Sequence, residues 1–165
     1  MLDFQPAGRS QFGMRVPSAI LWGWLTVGTI DYLDAIIFSA LRSHATPMRV
    51  FQGVAYGLLG RDTYQRGWVS FALGTAIHYF IALCLVATFI GASRVWPVLA
   101  RRPWLTGPIY GVAVYFFMNR VVIPLSLIGP QRFVLAPFLN GIVIHIVGVG
   151  IPSALFAAAA LASSD

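Results

Sequence analysis

The stretch WVSFALGTAIHYFIALCLVATFIG, residues 68–91, runs for 24 positions without an Asp, Glu, Lys or Arg. About 20 predominantly apolar residues carry a helix across the hydrocarbon of a bilayer. The run is too long and too uniformly apolar for a barrel strand, so it reads as a membrane-spanning helix. Its one histidine, His78, stands ten residues past Trp68, far from the polar ends of the span.

Working outward, comparable apolar runs lie at about 18–41, 104–124 and 135–161. The expected fold is therefore an all-α integral membrane protein, with four transmembrane helices in a compact bundle. A polar tail, residues 1–17, precedes a single domain, 18–165. The first apolar run holds two Asp and lacks a small-residue cleavage site, so it does not read as a cleaved signal. Composition agrees with the class. Hydrophobic residues make up 58% and charged residues 10%, where soluble domains carry roughly 25% charged residues. The mean hydropathy is +0.79.

All 11 basic residues are Arg and all five acidic residues are Asp. The net charge of +6 is scattered over loops and forms no basic helix face. Nucleic acid is thereby set aside, and the lipid bilayer, through its headgroups, is the expected partner. The single Cys84 sits mid-span, can form no internal disulfide, and is expected to pack as a small apolar residue.

Trp22, Trp24, Trp96 and Trp104 mark one membrane face, here side A, and Trp68 marks the other, side B. The arginine count is tied between the two faces. Arg94, Arg101 and Arg102 crowd the short 92–103 loop, which favours side A, with both termini, in the cytoplasm. Between spans 1 and 2, Thr46 and Pro47 read as N-cap and first turn of a short helix over about 47–59, with Gly60 as its stop. Too short to span, it is expected to lie at the interface or fold over the bundle mouth. Arg49, Gln52 and Tyr56 form a polar stripe along it.

Asp31, His78 and His145 each lie ten residues from the side B end of their spans, and Asp34 shares a helix face with Asp31. Asn119 and Arg120 close span 3 near side B, with Pro124 expected to end or kink the helix. Arg120 is a candidate counter-ion for Asp34 or Asp31, or a side chain that snorkels to the headgroups. Together these residues define a buried polar layer, and three functions compete for it. It fixes helix register in a non-enzymatic protein that is free-standing or an accessory subunit of a larger membrane complex. Alternatively it carries protons or ions in a homo-oligomer. The third reading is metal or haem binding: His78, His145, Asp31 and Asp34 suit a transition metal, or the two His a haem, though no cofactor is expected on the first two readings. No nucleophilic or metal-hydrolase motif accompanies them, so no catalytic residue is assigned and enzyme chemistry is not expected.

Gly74-Thr-Ala-Ile-His78 and Gly141-Ile-Val-Ile-His145 share the pattern G-x-x-I-H in spans running the same way. An internal duplication about an axis along the membrane normal would produce this, although spans 1 and 3 match poorly. Gly107-x-x-x-Gly111, Gly53-x-x-x-Gly57 and Ala72-x-x-x-Ala76 are small-residue ridges expected to serve packing within the bundle.

From His78 to about Ala160 the chain resembles the YagU-like family of uncharacterised bacterial inner-membrane proteins. The resemblance rests on His78-Tyr-Phe-Ile-Ala, the Pro97 loop, Gly107-x-x-x-Gly111, Pro124-Leu125 and a last span carrying His145. It implies a bacterial inner (cytoplasmic) membrane and transfers no catalytic residue.

Overall fold

The computed structural model describes residues 14–162. Four helices are long and apolar enough to cross a membrane: α1 (Val16–Ser43), α3 (Gly67–Val95), α5 (Pro103–Leu125) and α6 (Leu135–Leu161). Two shorter helices join them, α2 (Pro47–Leu59) after α1 and the single turn α4 (Val98–Arg101) after α3. The protein is an all-α, multi-pass membrane bundle. The spans exceed their expected limits by one to four residues at several ends, because helices continue through the interface. Pro17 sits in the first turn of α1 rather than in the tail, where its fixed φ is tolerated. The tail residues before Met14 lie outside the described region.

The core is built from small side chains. Ala19, Ala82, Ala154, Ala157 and Ala160 are buried together with Val27, Val86 and Ile90. Large apolar side chains such as Leu33, Ile37, Phe80, Ile109 and Val143 face outward. That inversion suits a lipid solvent, where helix association depends on close packing rather than on hiding apolar surface.

Glycines set the closest approaches. A β-carbon at Gly107 would meet the Ile151 backbone and one at Gly111 the His145 carbonyl, so this ridge is the α5–α6 crossing, inside the bundle as expected. Ala72 and Ala76 are exposed and do not pack inside. Gly53 has open space around it.

Helix α2 takes its expected limits, and Thr46 accepts the Arg49 amide hydrogen at 3.3 Å. It is seated against the bundle. It packs across the first half of α3, where the Phe51 carbonyl occupies the space a β-carbon would take at Gly74. Phe51 is fully buried and stacks on Tyr32 of α1 with ring centroids 3.7 Å apart. The polar stripe is only partly exposed. Gln52 is buried and donates to Gly67 O (3.1 Å) and Ser70 Oγ (3.2 Å), while Arg49 lies 4.3 Å over the Tyr64 ring, against which Tyr56 also packs.

This seating gives a direct contrast. Gly74→Ala is expected to destabilise the protein by about 1–3 kcal/mol, the usual cost of overpacking a tight contact. Gly53→Ala is expected to be neutral or to stabilise by up to about 1 kcal/mol through helix propensity. Unfolding midpoints of both variants in mild detergent test this, and equal shifts would contradict it.

Candidate functional site

A ladder of polar contacts joins α1 to α3. Trp24 Nε1 donates to Tyr79 O (2.7 Å), Thr29 Oγ1 meets Tyr79 OH (3.1 Å), and Tyr32 OH meets Thr75 Oγ1 (3.4 Å). In its midst His78 Nε2 donates to Gly28 O at 2.9 Å. A carbonyl only accepts, so Nε2 carries the proton in this contact. Nδ1 faces Asp31 Oδ2 at 3.9 Å, beyond hydrogen-bond length but close enough for an ion pair once the ring is charged. Tyr32, Phe51 and Tyr79 meet the imidazole edge to face, at centroid distances of 5.5–5.6 Å.

Asp34, one turn along, turns to a different helix. Its Oδ2 accepts from Asn140 Nδ2 of α6 at 2.8 Å. The two carboxylates of one α1 face thus turn to two different helices, α3 and α6. Asn140 escaped the sequence reading, although an amide in an apolar span immediately before the Gly141 motif is itself a signal.

His145 Nδ1 bonds Gly141 O of its own helix at 2.8 Å. Tyr115 of α5 meets its ring edge to face at 5.5 Å, as Tyr32 meets His78 at 5.6 Å. Each of these tyrosines stands four residues after a glycine, in Gly28-x-x-x-Tyr32 and Gly111-x-x-x-Tyr115. The two hairpins therefore share a Tyr–His ring contact beside the common G-x-x-I-H pattern.

Arg120 does not join this layer. It is exposed, in a cleft with Arg42 and Arg132, and among the described residues no carboxylate pairs with it. Asn119 likewise serves its own helix, donating to Tyr115 O at 2.9 Å.

Both later spans change pitch beside the layer. Residues Met118–Val122 of α5 and His145–Gly150 of α6 form π-helical turns. A proline follows each by two residues, Pro124 and Pro152. Its ring crowds the carbonyl four residues back and offers no amide, and widening the preceding turn relieves both conflicts. Pro124 thus widens α5 before the helix stops at Leu125. Asn119 and His145 each bond a carbonyl four residues back, at or near the start of a π turn.

The π turns and α2 surround a cavity of about 480 Å³. Every span contributes: Val27 and Asp31 from α1, Ile77 to Leu85 from α3, Met118 and Val122 from α5, His145 and Val149 from α6. Helix α2 supplies Val50, Gly53, Val54 and Gly57. The lining is apolar except for Asp31, His78, His145 and Ser126. Near side A, α3 and α5 meet through Tyr110 OH and Leu85 O (2.8 Å) and the Phe89 ring. Further along, α2 reaches across to the 126–128 loop, where Leu127 N donates to Gly57 O (3.0 Å).

Among the described residues no three His, Cys, Asp or Glu side chains cluster closely enough to hold a metal ion. His78 has both ring nitrogens turned to protein groups, which does not suit an axial haem ligand. Comparison of the chain with protein-family models, curated proteins and solved structures found no match.

Asn140→Ala strips the Asp34 carboxylate of its amide partner and is expected to cost about 0.6–2 kcal/mol. Arg120→Ala, at an exposed position, is expected to stay within about 0.5 kcal/mol of the parent. Reversible unfolding in detergent distinguishes them, and a larger loss for Arg120→Ala would restore that residue to the layer.

Proposed function

We propose that the protein is a non-enzymatic membrane protein that binds a small, largely apolar molecule inside the bilayer. One observation carries this reading: the 480 Å³ cavity, walled by all four spans and α2. Its volume falls within the roughly 300–1,000 Å³ of small-molecule pockets, and its lining follows their pattern of apolar walls with few polar groups. Asp31 favours a ligand with one cationic or hydrogen-donating group, and His78 and His145 offer further polar contacts. The other polar contacts, Asp34–Asn140 and the α1–α3 ladder, hold the register of the walls. The resemblance to YagU-like proteins supports a bacterial inner membrane, and the Arg94, Arg101 and Arg102 loop supports cytoplasmic termini.

Proton-linked transport, in a homo-oligomer, is a second reading. It is favoured by one fact, that Asp31, His78 and His145 all face the same cavity.

Benzylamine and toluene are suitable probes, because they differ by one amine. The purified protein is expected to bind benzylamine more tightly, Asp31→Asn to erase the difference, and Gly53→Phe to abolish both by filling the open space at Gly53. Saturation-transfer NMR reads all three. Undiminished binding of both probes by Gly53→Phe would remove the cavity from the account. Proton flux in proteoliposomes that Asp31→Asn abolishes in a folded protein would favour transport.

A further inference from the structure

On the other face of α5 from the central cavity lies a second cleft, of about 640 Å³, formed where α1, α5 and α6 reach side B. Three arginines line it from separate elements: Arg42 from the last turn of α1, Arg120 from the π turn of α5, and Arg132 from the loop before α6. No acidic residue lines the cleft. Among the described residues none of the three has a hydrogen-bond or ion-pair partner. Like charges gathered without a carboxylate repel one another, so an anion between them gains from all three.

The floor of the cleft is aromatic. Phe116, Tyr115, Phe138 and Phe133 form a chain of ring contacts at centroid distances of 5.3–5.7 Å. Phe133 is largely exposed beside Val134 and Leu135. The cleft thus combines an aromatic surface with guanidinium-bearing side chains, whose planar, multidentate donors suit a phosphate, at the side B end of the spans. We infer that this cleft is a binding site for the phosphate-bearing headgroup of an anionic phospholipid, with the arginines on the phosphate and the aromatic chain along the upper acyl chain. A soluble phosphate would use the arginines and leave the aromatic floor without a role. Clustered arginines at a membrane surface attract anionic headgroups electrostatically.

Native mass spectrometry of the full chain in non-ionic detergent, with phosphatidylglycerol or phosphatidylcholine added, tests the assignment. The protein is expected to retain phosphatidylglycerol in preference to phosphatidylcholine. Combined Arg42→Gln, Arg120→Gln and Arg132→Gln is expected to weaken that retention on the order of 100-fold, from roughly fivefold per arginine. Arg132→Gln alone, in a loop, keeps the test readable if the triple variant does not fold. Arg94→Gln, Arg101→Gln and Arg102→Gln together remove the same charge on side A and are expected to leave retention unchanged. Equal retention of the two lipids, or equal losses in the two triple variants, would overturn the site. Inorganic phosphate alone, protecting against thermal unfolding as well as phosphatidylglycerol does, would overturn the lipid as its occupant.

Discussion

The carbonyl of Phe51 rests where a β-carbon would stand at Gly74, and the arrangement of the bundle follows from that contact. It lets α2, which is too short to span, lie against α3 instead of floating at the membrane surface. Phe51 can then bury its ring on Tyr32, and Gln52 can satisfy the polar head of α3 through Gly67 and Ser70. With α2 so placed, its far end reaches the 126–128 loop and forms one wall of the central cavity. A side chain at position 74 would push that wall outward.

The polar residues divide the remaining work. Asp31 and Asp34 stand on one face of α1 but engage α3 and α6 respectively, so a rotation of α1 would break contacts to both. Such contacts are individually modest in membranes, about 0.6 kcal/mol on average. Their value lies in register, because apolar helices in lipid otherwise have little to distinguish one rotation from another. The same register brings His78 and His145 to one cavity from spans of opposite hairpins.

The four spans and the limits of α2 were legible because length, hydropathy and the Thr46-Pro47 cap are local signals. So was the common depth of Asp31, His78 and His145, since depth follows from counting residues. Rotation about a helix axis does not, and this is why the sequence leaves Arg120 open between pairing with a carboxylate and snorkelling, whereas in the fold it is exposed in a cleft that Arg42 and Arg132 also line. Gln52 was legible as polar but not as buried, because its partners Gly67 and Ser70 are brought to it by the intervening 3₁₀ turn, Gly60–Gln65. The π turns had a signal in Pro124 and Pro152. A proline announces a disturbed helix without saying whether the helix will bend, stop or widen.

The central claim is that α2 closes a cavity between the spans, and a designed disulfide tests it directly. A β-carbon at Gly57 would lie 3.4 Å from Ser126 Cβ, close to the roughly 3.5–4.5 Å that a disulfide spans. Gly57→Cys with Ser126→Cys, in a Cys84→Ala background, is therefore predicted to crosslink rapidly and nearly completely under mild oxidation in native membranes. Free thiols that persist at both positions would contradict the seating of α2, and with it the cavity.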